Sequence, residues 1–218
     1  MFHREGRTIN KLLHINAAPR GENSRTLKVT EAFMEKFGEK YPDCEVDELN
    51  VFTEALPSMT GEVLDAKYVL MGGGQLSGRL KDAWRDVERH IERFLDADAY
   101  LISTPMWNFS IPFALKRYID VIVQPQYLFR YTDEGSPEGL VKNRKMVVIT
   151  SRGGDYGPDS SVHTYDYQEP YLRTIFGFVG ITDITFVNAQ PMDALGPEVA
   201  QEKLESAREA ARQVAADF

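Results

Sequence analysis

The hydrophobic pattern of the chain switches repeatedly between apolar runs typical of buried strands and the spacing typical of amphipathic helices. Lys145–Ser151 reads KMVVITS, a largely apolar run expected of a central parallel strand that is covered on both faces. Leu80–Leu95 instead repeats large apolar residues along one helical face, with charged residues elsewhere. The pattern predicts strands at Ile9–Asn16, Glu45–Leu49, Tyr100–Thr104, Lys145–Ser151 and Ile181–Asn188, and helices at Ser24–Phe37, Leu80–Leu95, Phe113–Val123, Tyr171–Phe178 and Pro197–Ala215.

The alternation of strands and helices predicts the fold class. It indicates an α/β fold, a doubly wound five-stranded parallel sheet with helices on both faces. No linker-like segment interrupts the pattern, so residues 1–218 are interpreted as one domain, with 1–8 as a short N-terminal extension. Such sheets bind ligands where the chain leaves the carboxyl ends of the strands, which makes three loops candidates, at residues 17–26, 105–111 and 151–157.

Composition and charge restrict the classes of partner. The chain of 218 residues carries a formal net charge of −8, which disfavours a nucleic acid or a membrane surface, since both attract basic patches. No apolar run approaches the roughly 20 residues that span a bilayer, and the N-terminus lacks the apolar segment of a signal peptide. A single cysteine, Cys44, fits a cytoplasmic location and excludes an intrachain disulfide.

The four histidines, His3, His14, His90 and His163, share no spacing typical of a metal site or a catalytic triad, so no metal is predicted. We expect His14 in the core or at a sheet edge, and His90 on the charged face of its helix. His163 lies in the region that follows the third candidate loop. No G-x-S-x-G motif occurs, which disfavours an α/β-hydrolase.

The first candidate loop, residues 17–26, reads AAPRGENSRT and leads into a helix. Ser24 and Thr26 place hydroxyl groups beside the free N–H groups of the first turn, where the helix dipole favours negative charge. Arg20 offers a guanidinium group to the same anion. The spacing matches neither a dinucleotide motif nor a triphosphate motif, so the loop indicates either a single terminal phosphate or simply a capped helix.

The second candidate loop contains Met106, Trp107, Asn108 and Phe109 immediately after a predicted strand. Aromatic and thioether side chains suit the face and edge of a planar ring, and an amide offers both a donor and an acceptor. The alternative is that the two aromatic side chains pack beneath a neighbouring loop or against another subunit. The loop therefore predicts a planar, hydrogen-bonding ligand or a packing contact.

The third candidate loop reads SRGGDYG. Gly153 and Gly154 either let backbone amides approach a ligand closely or form a tight turn, and Arg152 is either a ligand contact or a surface charge. A second glycine-rich stretch, MGGGQLSGR at 71–79, lacks a P-loop lysine and a preceding strand, and is interpreted as a flexible connector. Together the three loops suit a phosphorylated flat heterocycle, and FMN meets that description.

Four stretches, PMWNFSIPFALKRYID, FRYTDEGSPEGLV, VVITSRGGDY and PYLRTIFGFVGITDITFV, resemble the family of FMN-dependent NADH:quinone oxidoreductases and azoreductases. The likeness covers essentially the whole chain from about residue 9. It implies a flavodoxin-like fold, a homodimer, bound FMN, and NADH or NADPH as the reductant. The implied substrates are quinones and azo compounds.

The resemblance also implies site residues by their positions. The implied FMN contacts are Ser24, Arg25, Thr26, Met106, Trp107, Asn108, Phe109, Ser151, Arg152, Gly153 and Gly154. Aromatic residues near the dimer interface of the family shape its substrate pocket, and these correspond to Tyr131 and Phe178. The sequence departs from the family at Ala18, where serine is frequent, and at Trp107, where tyrosine is usual.

The resulting hypothesis is an FMN-dependent oxidoreductase that takes hydride from NADH or NADPH and reduces quinones and azo compounds by a ping-pong mechanism. No catalytic side chain is predicted, because the flavin carries the chemistry. One alternative is a flavodoxin-type electron carrier without a small-molecule substrate of its own, and another is a flavin-free binding domain. The sequence leaves open both the physiological acceptor and the choice between NADH and NADPH.

Overall fold

The computed structural model describes residues 9–218, and the predicted extension at 1–8, with His3, lies outside that range. Within the described range no helix is long and apolar enough to cross a membrane. The elements follow one another as β1 Lys11–Asn16, α1 Arg25–Lys40, β2 Glu45–Asn50, α2 Glu62–Met71, α3 Gly78–Leu95, β3 Ala99–Pro105, α4 Phe113–Ile122, β4 Phe129–Tyr131, β5 Pro137–Gly139, β6 Lys145–Ser151, α5 Glu169–Phe178, β7 Asp183–Ala189 and α6 Pro197–Asp217.

Five strands form a parallel sheet in the order β2-β1-β3-β6-β7. This is the order of a doubly wound flavodoxin-like sheet, so the predicted fold class is confirmed. The register places Leu12 of β1 opposite Ala99 of β3, and Ser103 of β3 opposite Ile149 of β6. The order of strands reverses between β1 and β3, and the carboxyl ends of these two strands are therefore the expected ligand site.

Helices cover both faces of the sheet, as the alternating side chains of β3 demonstrate. Ala99 and Leu101 belong to the core beneath α1 and α6. Tyr100 and Ile102 belong to the core on the other face, beneath α2 to α5. The ring of Phe94 in α3 stacks on that of Tyr100, with 4.3 Å between the centroids. A strand buried on both faces needs apolar residues at consecutive positions, which explains the apolar run from Ala99 to Ile102.

The predicted elements agree with those found to within a few residues, but the pattern gives no sign of α2, β4 or β5. Only Ala66 and Leu70 are buried in α2, whereas Tyr68 is exposed, so this helix has no clear apolar stripe. The flexible connector predicted at 71–79 is limited to the residues between the end of α2 and the start of α3. Tertiary contacts, rather than a periodic pattern, determine these elements.

The hairpin of β4 and β5 occupies the connection between α4 and β6, at the amino edge of the sheet. Gly139 in β5 packs against the segment that joins α5 to β7. A Cβ atom added at Gly139 would lie 2.4 Å from the backbone atoms of Val179 and Gly180, so a larger residue does not fit there. The hairpin is consequently held against the end of α5, far from the carboxyl edge.

Candidate functional site

A cleft of about 180 Å³ lies at the carboxyl edge of the sheet, and all three predicted loops contribute to it. It includes eight of the eleven implied FMN contacts, and these are Ser24, Arg25, Thr26, Met106, Trp107, Ser151, Arg152 and Gly153. The parallel sheet brings these residues together, since the carboxyl ends of β1, β3 and β6 lie side by side. The fold therefore places residues that are distant in sequence around one cavity.

One end of the cleft is the N-terminus of α1. Ser24 is the N-cap, and its side-chain oxygen accepts a hydrogen bond of 3.2 Å from the N–H group of Leu27. The N–H groups of Arg25 and Thr26 belong to the first helical turn, where an α-helix offers no backbone acceptor. Arg20 and Arg25 line the same end of the cleft. A helix N-terminus beside two guanidinium groups is well suited to bind a phosphate.

The first and third loops are joined by a hydrogen bond between two hydroxyl groups. Thr26 Oγ1 and Ser151 Oγ lie 2.7 Å apart, and Thr26 is fully buried. At Ala18, where the family often has serine, the backbone N–H group donates to Asn16 Oδ1 at 3.0 Å. The Thr26 hydroxyl group thus holds the two loops together, while the start of the first loop is fixed by Asn16.

Sequence reasoning missed Met192 and Asp193, which also line the cleft. Asp193 Oδ1 accepts a hydrogen bond of 2.6 Å from Arg25, and the Asp193 N–H group donates to the carbonyl oxygen of Gly153 at 3.0 Å. Both missed residues follow β7, a strand of the same parallel sheet. The signal was therefore available, because the loop after any strand of this sheet reaches the same carboxyl edge.

The second loop contains a tight turn. Trp107 and Ser110 exchange two backbone hydrogen bonds of 2.9 Å, and the residues between them, Asn108 and Phe109, have φ angles of +46° and +69°. A left-handed conformation is common for asparagine, but it costs about 1–2 kcal/mol for a residue such as phenylalanine. The carbonyl oxygen of Phe109 accepts a hydrogen bond of 2.9 Å from Tyr167. The loop predicted to contact a ring thus has a strained backbone at Phe109.

Three implied FMN contacts, Asn108, Phe109 and Gly154, lie outside the walls of this cleft. Asn108 lines a neighbouring cleft that shares Trp107. The ring of Phe109 is 45 % exposed and lies 6.3 Å from the ring of Tyr156, against which Gly154 also packs. Trp107 is 38 % exposed, so neither aromatic side chain of the turn is buried beneath a neighbouring loop of the same chain.

Arg152 is buried, so its interpretation as a surface charge is wrong; only 1 % of the side chain is exposed. Its guanidinium group donates to Asp166 at 2.8 Å, to Thr150 at 3.0 Å and to Gln168 at 3.1 Å. Burial lowers the pKa of Arg152, and the charges of Asp166 and Glu169 oppose that shift. Since an arginine remains protonated in proteins, the site contains a permanently charged group directly beneath the third loop.

Tyr131 and Phe178 lie at the opposite end of the sheet. Helix α5 begins at Glu169, close to Arg152, and runs back to the amino edge, where its last residue is Phe178. There the ring of Phe178 packs on that of Phe129 in β4, with 4.7 Å between the centroids, and Tyr131 is exposed on the same hairpin. Within one chain the two residues do not reach the cleft.

The described histidines play three different structural parts. His14 is buried, with Nε2 2.8 Å from Ser103 Oγ, and burial lowers its pKa to about 4. His90 is also buried, which corrects the prediction of a charged helix face. His163 is exposed, and its Nδ1 lies 2.8 Å from the carbonyl oxygen of Tyr156. Among residues 9–218 no three His, Cys, Asp or Glu side chains are grouped as a metal ion would require.

Comparison with known proteins agrees with this geometry. A family model described as a flavodoxin-like fold matches residues 10–215. A protein of Nitratidesulfovibrio vulgaris (strain DP4), named FMN-dependent NADH:quinone oxidoreductase, is 41% identical over 207 residues, which cover 95% of this chain and 99% of the relative. The crystal structure of azoreductase from Bacillus anthracis str. Sterne superposes with a TM-score of 0.86 at 28% identity, covering 96% of this chain and 100% of the other.

A second solved structure carries the cofactor. The FMN-dependent NADH-azoreductase from Bacillus anthracis str. Ames Ancestor, in complex with FMN, superposes with a TM-score of 0.81 at 32% identity, covering 95% of this chain and 100% of the other. Fold and cleft define a doubly wound α/β protein with a ligand site at the carboxyl edge of its sheet. The chain belongs to the flavodoxin-like family that includes the FMN-dependent NADH:quinone oxidoreductases, and the resemblance inferred from the sequence is confirmed.

Proposed function

We propose that this chain is an FMN-dependent oxidoreductase that takes hydride from NADH or NADPH and reduces a quinone or an azo compound. The observation that carries the proposal is the composition of the cleft, where a helix N-terminus with two arginines lies beside an aromatic turn and a glycine loop. A phosphorylated flat ring requires these three kinds of group. The names of the relatives, which specify FMN, NADH, quinones and azo compounds, support the same function.

The residues of the cleft fit FMN in a defined orientation. Its phosphate is assigned to Ser24, Arg25 and Thr26, because the free N–H groups of the first helical turn lie at that end, beside Arg20 and the ion pair of Arg25 with Asp193. Its ring is assigned to the two remaining loops, with Met106 and Trp107 on one side and the residues from Ser151 to Gly154 on the other. The backbone groups of Asn108 and Phe109, at the centre of the turn, are assigned to the edge of the ring.

Bound FMN would supply the two-electron chemistry, and the residues of the chain bind it, orient it and exclude water. The absence of side chains at Gly153 and Gly154 lets their amides approach the ring and stabilise negative charge at its edge. The indole of Trp107, which is partly exposed to solvent, forms a wall against which the nicotinamide and then the acceptor would stack. Because one cleft serves both substrates in turn, a ping-pong order is the expected kinetic consequence.

We infer a homodimer, in which the partner subunit would supply Tyr131 and Phe178 to the mouth of the cleft. Two observations support the inference, since Phe113 is 70 % exposed beside Trp107 and Tyr131 is exposed on the β4–β5 hairpin, and the family resemblance implies this arrangement. Light scattering on the purified protein tests it, and a stable monomer with full activity would contradict it.

The proposal also includes a single domain over residues 1–218 and a cytoplasmic location. The family match over residues 10–215 supports the first, and the single cysteine supports the second. Fractionation of cells that produce the protein tests the location. Recovery of the protein from a secreted fraction would overturn that part of the proposal.

An absorption spectrum followed by anaerobic titration tests the function. We expect purified protein to show the bands of oxidised flavin, to lose them on addition of NADH or NADPH, and to regain them with benzoquinone. Titration with each nicotinamide separately identifies the donor. Protein that binds FMN but is not reduced by either nucleotide would favour the flavodoxin-type electron carrier. Colourless protein that does not bind added FMN would favour a flavin-free binding domain.

A further inference from the structure

Three consecutive residues that precede α5 hold the loops of the cleft together. Asp166 Oδ2 accepts a hydrogen bond of 2.8 Å from Arg152 in the third loop, and the Tyr167 N–H group donates at 2.9 Å to Phe109 in the second loop. Gln168 Nε2 donates at 2.9 Å to the carbonyl oxygen of Pro105. Residues 166–168 therefore form a clasp that contacts two of the three loops, although no pattern in the sequence points to them.

Gln168 has a distinct position in the clasp, because each end of its amide is bonded to a different loop. Its Oε1 accepts a hydrogen bond of 3.1 Å from Arg152 Nε, while its Nε2 donates to Pro105. The side chain is fully buried, so water cannot replace either bond. Because Pro105 is already paired with Ser151 in the sheet, the amide fixes the Arg152 side chain and the chain at residue 168 against this edge of the sheet.

The clasp is itself rigidly anchored to the core. Asp166 Oδ1 accepts hydrogen bonds from the N–H groups of Gln168, at 2.9 Å, and Glu169, at 3.1 Å, and so caps the start of α5. The same helix inserts Leu172 and Phe176 into the core beneath the sheet. Because this helix is packed in the core, the clasp holds the two loops in a fixed position relative to the core.

The turn at Asn108 and Phe109 needs such support. The sheet holds the second loop only as far as Met106, whose N–H group donates to Ser151 at 2.9 Å. Beyond that point both central residues of the turn have positive φ angles, a strained conformation that persists only when its surroundings determine it. The hydrogen bond from the Tyr167 N–H group to the carbonyl oxygen of Phe109 helps to hold the turn in this conformation.

We propose that Gln168 is a positioning residue of the flavin site, because it holds the buried Arg152 side chain of the glycine loop and, next to it in the chain, the Tyr167 N–H group that supports the aromatic turn. The inference rests on the proposed function and deepens it. The backbone N–H groups of the aromatic turn and of the glycine loop are assigned to the same ring. A change in the distance between these two loops therefore weakens FMN binding. The loss is larger for reduced FMN, because its additional negative charge depends more strongly on aligned donors.

Gln168→Met tests the proposal, because methionine has a similar length but makes neither hydrogen bond. The matched control is Gln124→Met. Gln124 is also fully buried and donates to the carbonyl oxygens of Asp120 and Val121, but it lies at the end of α4, at the amino edge. Gln168→Met is expected to lose more stability in urea, because it also removes an acceptor from the buried Arg152, whereas Gln124 Oε1 accepts no hydrogen bond. Only Gln168→Met is expected to change the flavin.

The readouts are the dissociation constant of FMN, from quenching of flavin fluorescence, and the two-electron reduction potential. We expect Gln168→Met to bind oxidised FMN about tenfold more weakly and reduced FMN about a hundredfold more weakly. That tenfold difference between the redox states corresponds to a potential about 30 mV more negative. Unchanged affinity and potential in a folded Gln168→Met variant, or equal changes in Gln124→Met, would overturn the proposal.

A second variant covers the case in which Gln168→Met does not fold. Gln168→Asn retains an amide but is too short to reach both loops, so a weaker FMN affinity is again expected, and wild-type affinity would refute the inference. The proposed function has a separate outcome. If the wild-type protein binds no FMN, the proposed function fails. If the wild type binds FMN and the Gln168 variants bind it equally well, only the positioning role of Gln168 fails.

Discussion

Acidification should destabilise this protein in large part through one buried group, His14. The side chain lies between β1 and α1, with Nε2 2.8 Å from Ser103 Oγ, which is in turn 2.6 Å from Thr30 Oγ1. Thr30 donates to the carbonyl oxygen of Thr26 at the start of α1. If that bond uses the Thr30 proton, Ser103 donates to Thr30 and accepts from the Nε2–H group of neutral His14. The chain of bonds links His14 to α1, the helix whose N-terminus lines the cleft.

The sign and magnitude follow from the pKa of His14. Burial lowers it from 6.5 to about 4, while the charge of Glu48 opposes the shift. The unfolded chain therefore takes up the proton first as pH falls, so this contribution to stability is complete above about pH 6.5 and decreases towards pH 4. Between pH 7 and pH 5 the two pKa values give a loss of about 2 kcal/mol in the free energy of unfolding.

Urea denaturation at pH 7, 6 and 5 measures this loss, with His14→Gln and His163→Gln compared against the wild type. Between pH 7 and pH 5 the free energy of unfolding should fall by about 2 kcal/mol less in His14→Gln than in the wild type, since glutamine does not titrate. His163→Gln should follow the wild type, because its side chain is exposed. An identical pH dependence in His14→Gln and the wild type would refute the reasoning.

Three further predictions concern separate parts of the molecule. Arg93→Ala should lower the free energy of unfolding by about 2 kcal/mol, and Arg85→Ala by less than about 0.5 kcal/mol. Each arginine lies 2.6 Å from an aspartate, but only the Arg93 pair is largely shielded from solvent. Equal losses of the two variants in urea denaturation would contradict this. Phe94→Ala should cost about 3–5 kcal/mol, because its ring stacks on two core aromatics, and a loss under about 1 kcal/mol would be inconsistent with that packing. Arg25→Ala should weaken FMN binding about tenfold in a fluorescence titration, with Arg212→Ala unaffected, and equal affinities would remove Arg25 from the phosphate site.

The outline of the site could be predicted from the sequence because it depends on local patterns. Apolar periodicity identified the five strands of the sheet, and parallel strands place the loops after them at one edge. Ser24, Trp107 and Gly153 follow predicted strands, so their convergence needed no knowledge of distant contacts. The same rule, applied to the strand that ends at Ala189, would also have found Asp193.

The sequence by itself determined the fold class and the edge of the sheet where the candidate cleft lies, since both follow from the order and periodicity of neighbouring residues. Only the tertiary structure decided that Arg152 is buried, that Gln168 joins two loops, and that Phe178 lies at the far end of its own chain. The physical reason is that burial and hydrogen bonding depend on which distant segments meet. A charged or amide side chain looks the same in the sequence whether water or another loop satisfies it.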